Sequence, residues 1–267
     1  MQLIDTHTHL YVPQFDKDRA ATLERAEAAG IAQFYLPAID SETHDAMLAM
    51  EAAYPERCFA MMGLHPCSVK ENYEEELAIV EKWLQKRPFC AIGEIGIDLH
   101  WDTTFVEQQK DAFRRQIRWA KMLDIPIVIH SRKSTWEVIE ILREEKGPKL
   151  RGIFHCFGGT VEEANAIIDC GFHLGIGGVL TFKKAGLDKT MERVDLEHVV
   201  LETDSPYLAP TPYRGKRNES AYIRVIAEKL AGIKGKSLAE ISEVTSANAR
   251  KLFTHSTKNT LLFGKVR

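Results

Sequence analysis

Ile125-Pro-Ile-Val-Ile-His130 comes directly after a stretch, Phe105–Leu123, in which Val106, Phe113, Ile117, Ala120 and Leu123 recur at helical spacing. The run is apolar until its last position, where a histidine closes it. A continuous apolar run has no wet face, which is the pattern of a parallel strand buried on both sides. Helix and run together predict one βα unit, and the unit recurs along the chain. The candidate strands are Leu3–Asp5, Ala32–Pro37, Phe59–Leu64, Ala91–Ile95, Ile125–His130, Gly152–His155, Phe172–Gly177 and Val199–Glu202. Helix start signals fall between them: Ser134-Thr-Trp-Glu137, Thr160-Val-Glu-Glu163 and Ser237-Leu-Ala-Glu240 all fit a capping box. Gly30 and Gly171 stand where a helix ends and a strand begins.

Eight strand–helix units in 267 residues predict an α/β protein, one closed (β/α)8 TIM barrel. Ser237–Phe253 is left over as an extra C-terminal helix, expected on the outside. No Gly/Ser/Pro-rich linker or change of composition divides the chain, so residues 1–267 read as a single domain. With 45% hydrophobic and 27% charged residues, general disorder is excluded. A net charge of −3 excludes a sequence-independent nucleic-acid coat but leaves room for a local basic patch. The longest stretch free of Asp, Glu, Lys and Arg is Cys170–Phe182, 13 residues, below the roughly 18 that a membrane-spanning helix needs. Met1-Gln-Leu-Ile4 runs straight into Asp5 without the pattern of a secretory signal. Five cysteines without a CxxC pair read as reduced thiols, and a cytoplasmic location is expected.

The apolar runs stop at His7 and His9, Ala38, His65, Glu94, His130, His155, Gly178 and Asp204, spaced 23–36 residues apart from His9 onward. In a barrel all C-terminal strand ends open on one face, so residues far apart in sequence converge there. His7 and His9 are two apart and point to the same side of an extended strand. Glu94, His130, His155 and Asp204 add donors from four further strands. One zinc-like ion takes about four ligands. Six suit two divalent ions about 3.5–4 Å apart, bridged by a carboxylate and sharing a water. Glu94 is the expected bridge, because each of its oxygens can serve a different ion. A lone histidine is more often a hydrogen-bonded core residue; the collective placement at successive strand ends is what points to metal.

The same residues sit in recognisable motifs: Leu3-Ile-Asp-Thr-His-Thr-His-Leu10, Gly63-Leu-His-Pro66, Gly93-Glu-Ile-Gly-Ile-Asp98, Pro126-Ile-Val-Ile-His-Ser-Arg132, His155-Cys-Phe-Gly-Gly159 and Glu202-Thr-Asp-Ser-Pro-Tyr-Leu-Ala-Pro210. With Arg214-Gly-Lys-Arg-Asn-Glu219, they resemble the TatD family of metal-dependent hydrolases from Leu3 to Phe253. The resemblance implies an amidohydrolase-like TIM barrel. It also implies a deoxyribonuclease that cleaves DNA, single-stranded or at ends, with divalent metal (Mg, Mn or Zn). Carried over by position, the family's ligands fall on His7, His9, Glu94, His130, His155 and Asp204. Cys67, His100 and Ser220 depart from the family's usual His, Tyr and Pro and bear on substrate preference.

On this reading the ions polarise a phosphodiester, Glu94 bridges them, and Asp204 holds one and orients or deprotonates the attacking water. His65 and Arg132 are candidates for phosphate oxygens, the arginine through its bidentate fork. Asp5 and Asp98 are expected to brace ligand histidines from behind. Tyr207, Arg214, Lys216 and Arg217 form a basic–aromatic stretch suited to stacking a base and holding a backbone. Lys183-Lys184 is a lesser basic pair, and a solvated loop face is the plain alternative for both. Competing readings keep the same ions: an amidohydrolase acting on a cyclic amide, ester or lactone, and a phosphatase-type or aminoacyl-tRNA ester hydrolase. The first is weakened because Glu94 stands where such sites often carry a modified lysine. A non-catalytic scaffold is disfavoured by the intact ligand set.

Overall fold

Parallel strands form where the apolar runs mark them. The computed structural model describes residues 2–253; Met1 and residues 254–267, counted in the single-domain reading, lie outside the described residues. The strands are β1 (Leu3–Asp5), β2 (Ile31–Leu36), β3 (Cys58–Ala60), β4 (Ile92–Asp98), β5 (Ile127–Arg132), β6 (Gly152–Phe154), β7 (Phe172–Ile176) and β8 (Val199–Leu201). The helices after β1 to β4 are α1 (Arg19–Ala28), α2 (Ser41–Ala53), α3 (Tyr73–Lys86) and α4 (Val106–Leu123). Those after β5 to β8 are α5 (Thr135–Glu144), α6 (Val161–Asp169), α7 (Leu187–Arg193) and α8 (Ile223–Lys234), and α9 (Leu238–Leu252) follows. Every strand pairs in parallel with the next within two ladders, β1-β2-β3 and β4 to β8.

Two seams join the ladders and close the TIM barrel. Between β3 and β4, Met62 bridges to Ile92, and Gly93 N–H donates to Met62 O at 3.1 Å. Between β8 and β1, Thr8 bridges to Ser205, and Thr6 donates to Leu201 O through both its N–H and its hydroxyl. The third run was expected to be a strand over Phe59–Leu64, yet its ladder with β2 stops at Ala60. Beyond Ala60 the chain spends its backbone on the seam to β4 instead.

A small apolar cluster shows which way the strands face. Ile4, Tyr35, Met61, Val128, Ile153 and Val200, from β1, β2, the residue after β3, β5, β6 and β8, pack with Ala249, Leu252 and Phe253. No residue of α1 to α8 enters this cluster, whereas those helices pack on the other face of the strands, so this is the barrel's interior. Tyr35 and Phe253 stack with ring centroids 4.0 Å apart. The last helix was expected on the outside, but the end of α9 plugs the interior. Ser242 and Ser246 hydroxyls anchor it on Gln2 O at 2.8 and 2.9 Å. Two residues after Val128, Ile153 and Val200 come His130, His155 and Glu202. Alternation on an extended chain places these on the same inner side, one layer up.

Of the three expected capping boxes, those of Thr160 with Glu163 and Ser237 with Glu240 form. Ser134 does not cap α5; its hydroxyl donates to Ile97 O at 2.6 Å and ties the helix start to β4. Gly30 and Gly171 take φ of 91° and 86°, which only glycine accepts without strain. Gly96, with φ 145°, is paired with His130 in the β4–β5 ladder, and a Cβ there would lie 2.0 Å from His130 O. Gly96→Ala is therefore expected to lower the unfolding free energy by about 3 kcal/mol or more, read by chemical denaturation, and to displace the His130 ring.

Candidate metal centre

His7 and His9 lie just past β1, and their alternation with Thr8 decides where they point. The Thr8 hydroxyl turns to Ser205 Oγ at 2.6 Å, leaving both imidazoles on the other side. There His7 Nε2 lies 3.1 Å and His9 Nε2 3.8 Å from Glu94 Oε2. The other oxygen of Glu94 faces a different set: His130 Nδ1 at 2.8 Å, His65 Nε2 at 3.3 Å and His155 Nε2 at 3.8 Å from Oε1. Asp204 Oδ1 completes the ring, 3.5 Å from His9, 3.8 Å from His7 and 4.0 Å from His155. Its backbone adopts φ 56°, a left-handed turn that aspartate tolerates better than most residues. All six expected ligands thus meet at one point of the mouth, in three overlapping donor groups with Glu94 shared between two of them.

The electrostatics follow from packing carboxylates and imidazoles out of water. Burial disfavours a charge on Glu94, but His65, His7 and His155 outweigh it and hold the carboxyl well below its usual range. Asp204 is lowered in the same way, by His155 and His9 against its burial. His7 is pushed down by burial and by the neighbouring His155, whose ring stacks on it with centroids 3.4 Å apart. His155 is also buried, yet Glu202, Glu94 and Asp204 raise it to about 10. His130, against its own burial, is raised by Asp98 and Glu94.

Buried polar atoms without partners test whether a cation fits. His7 is fully buried and neither ring nitrogen makes a hydrogen bond. An unsatisfied buried polar group costs about 1–3 kcal/mol, and a cation shared with His9 and Glu94 supplies the missing partner. The donor set of imidazoles and carboxylates suits divalent zinc or manganese and, on its oxygen side, magnesium.

Groups behind the ligands fix which nitrogen faces inward. Tyr11 donates its hydroxyl to Pro37 O at 2.6 Å, so its oxygen, 3.0 Å from His9 Nδ1, accepts that N–H and leaves Nε2 free. Asp98 Oδ2 takes His130 Nε2 at 2.8 Å. Glu202 Oε1 lies 2.9 Å from His155 Nδ1 and also accepts the Cys156 N–H. Asp5 accepts from the Thr203 N–H and hydroxyl at 3.0 and 2.6 Å and lies under the His7 backbone, locking the β8–β1 seam; burial raises it to about 7. Tyr11 and Glu202 escaped the sequence reading. Glu202 had a signal: two residues past the inward Val200, it shares that residue's face.

His65 Nδ1 accepts the Cys67 N–H at 3.0 Å, so Nε2 carries the proton and presents a donor to the centre. Arg132, Tyr207 and Trp101 line a cleft of about 780 Å³ that opens above the ligands. Arg214 and Arg217 are not brought to it. Arg214 lies over the Phe182 ring at 3.8 Å, and Arg217 grips both oxygens of Asp18 at 2.6 and 2.7 Å above Phe15. The pair Arg217–Asp18 clamps the loop after β8 onto α1, which consumes the guanidinium. The Cys67 thiol, also in the cleft, is raised to about 12 by burial and Asp98. All five cysteines are free. None of the described helices is long and apolar enough to cross a membrane.

Compared with known proteins, the chain matches the family of TatD related DNases over residues 4–254. It is 38% identical over 252 residues to the metal-dependent hydrolase YabD of Bacillus subtilis, covering 94% of this chain and 98% of that one. It is 30% identical over 258 residues to the 3′-5′ ssDNA/RNA exonuclease TatD of Erwinia tasmaniensis, covering 94% and 99%. The crystal structure of YjjV, a TatD homologue from Escherichia coli K12, matches with a TM-score of 0.89 at 28% identity, covering 94% and 97%.

Asp98→Asn and Glu202→Gln are each expected to weaken divalent-metal affinity about 10–100-fold, measured by competition with a chromophoric chelator. Without metal, His155 holds a proton at neutral pH, because its carboxylate neighbours raise its pKa to about 10, and Asp98 and Glu94 shift His130 in the same direction. A cation must displace the His155 proton, so apparent affinity should climb as pH rises toward about 10, with proton release on binding. Calorimetry in buffers of different ionisation enthalpy reads that release.

Proposed function

This chain belongs to the TatD family of metal-dependent hydrolases, and from that footing we propose that it is a two-metal nuclease hydrolysing DNA phosphodiester bonds at single-stranded ends. The observation that carries the reading is the division of Glu94: one oxygen faces His7 and His9, the other His130 and His155. A carboxylate serving two sets of imidazoles is the arrangement a bridged pair of ions requires. The relative from Erwinia tasmaniensis, named a 3′-5′ ssDNA/RNA exonuclease, supports the substrate class.

His7, His9, Glu94, His130, His155 and Asp204 would hold two divalent cations, which would supply acidification of a water and neutralisation of phosphate charge. The protein's own groups do the rest. Asp204 orients the attacking water and takes its proton on a carboxylate oxygen; as the water oxygen bonds to phosphorus the P–O bond to the departing nucleotide breaks, and that proton passes through solvent water to the leaving oxygen. The His65 Nε2–H donates to a non-bridging phosphate oxygen, a reading supported by the Cys67 N–H on its other nitrogen, which leaves Nε2 as the donor. Arg132 lines the cleft and offers its fork to a phosphate. The surrounding burial of Glu94 and His155 keeps bulk water from screening these charges.

Activity on a 5′-labelled single-stranded oligonucleotide is expected to vanish on chelation and to return with one or more of Mg, Mn and Zn. Glu94→Ala should reduce turnover at least about 100-fold while the circular dichroism spectrum is kept. Hydrolysis of p-nitrophenyl esters without any cleavage of DNA would transfer the site to the small-molecule class.

A further inference from the structure

Single exposed apolar side chains are ordinary on a soluble surface. Here they gather. Of the large hydrophobic residues exposed among the described residues, Ile79, Trp101, Trp136, Tyr207 and Leu208, the three named Trp101, Tyr207 and Leu208 line the cleft above the metal ligands. Trp101 leaves 69% of its surface exposed and Tyr207 47%. Trp101 belongs to the loop after β4 and Tyr207 to the loop after β8. Strands four apart in an eight-stranded barrel lie on opposite sides of its axis. The cleft therefore carries an aromatic side chain on each of two facing lips.

One carboxylate fixes Trp101 to the metal ligands. Asp98 Oδ1 accepts the backbone N–H of Trp101 at 3.0 Å and of His100 at 2.8 Å, while Oδ2 holds His130 Nε2 at 2.8 Å. The His100 ring packs edge-on against the indole, centroids 4.8 Å apart. Arg132 stands 5.1 Å from the indole centroid and lines the same cleft. An indole still 69% exposed is thereby held in register with a guanidinium over part of its ring and with the candidate ligand His130, to which Asp98 ties its loop.

We infer that Trp101 stacks the nucleobase next to the scissile phosphate, with Arg132 on that nucleotide's phosphate. The inference rests on the nuclease reading and adds the residue that selects unpaired bases. Every base has a π-face, so stacking binds without regard to sequence. A base inside a duplex is already stacked on its neighbours and cannot present that face to an indole in the cleft. Only unstacked ends can.

The test removes the platform and the base separately and together. Wild type, Trp101→Ala and Trp101→Phe are assayed with the activating ion on a single-stranded oligonucleotide. They are assayed again with one abasic residue placed in turn on each side of the cleaved bond. Trp101→Ala should lose roughly ten-fold in kcat/KM on the intact strand, mainly through KM, and Trp101→Phe should retain most of the activity. An abasic residue at one position should cost the wild type a similar factor and cost Trp101→Ala nothing more. Additive losses, or an unchanged KM in Trp101→Ala, overturn the inference while the nuclease reading stands. A drop in bound metal in Trp101→Ala, measured by atomic emission, also overturns it, since the effect would then run through Asp98 and His130. A wild type that cleaves no nucleic acid with any of the three ions removes both.

Discussion

A carboxylate deprived of water must find its charge partners in the protein, and Glu94 finds them in five imidazoles contributed from β1, β5, β6 and the loop after β3. Burying one carboxylate alone costs far more than a hydrogen bond returns. Burying it where rings from other strands converge reverses the sign, and its pKa falls instead of rising. No single helix or hairpin can supply that many donors around one residue. A closed ring of parallel strands can, because every strand ends on the same face. The fold and the centre are thus linked: without the barrel Glu94 is an unpaired charge, and without Glu94 the inward imidazole nitrogens lose the carboxylate they share.

The barrel achieves this by stacking layers. Its interior is apolar where Ile4, Val128, Ile153 and Val200 meet the plug of Leu252 and Phe253. One alternation higher come His130, His155 and Glu202. The dry layer shields the polar one from below, which strengthens every interaction there. The seams matter for the same reason. Asp5 and Thr203 lock β8 to β1 directly beneath His7, so ring closure and ligand placement depend on the same hydrogen bonds.

Chemistry and recognition are divided by depth. The buried candidate ligands are each held by an outer partner: Tyr11 on His9, Asp98 on His130 and Glu202 on His155. The rim is built from loops whose side chains stay exposed, Trp101 and Tyr207 foremost. Asp98 belongs to both levels, since one oxygen orients a ligand and the other holds the rim loop. The rim is therefore coupled to the centre, through Asp98 under His100 and Trp101 and through the Cys67 N–H on His65.

How much of this lies in the sequence differs by distance along the chain. The strands and helices are local: apolar runs and helical periodicity near Ile125–His130 or Val106–Leu123 mark elements that burial then forms. The convergence of the candidate ligands is legible as well, because a barrel turns the end of each strand into the same place, so spacing alone brings His7, Glu94 and Asp204 together. What the sequence leaves open is which exposed cation faces the cleft. Arg214 and Arg217 sit in the same basic stretch as Tyr207, yet Phe182 and Asp18 take them. Side-chain partners across loops, the inward plug of α9 and the pairing of Glu202 with His155 were decided only when non-adjacent segments packed. Local pattern encodes which face a residue is on; only tertiary contact determines which neighbour claims it.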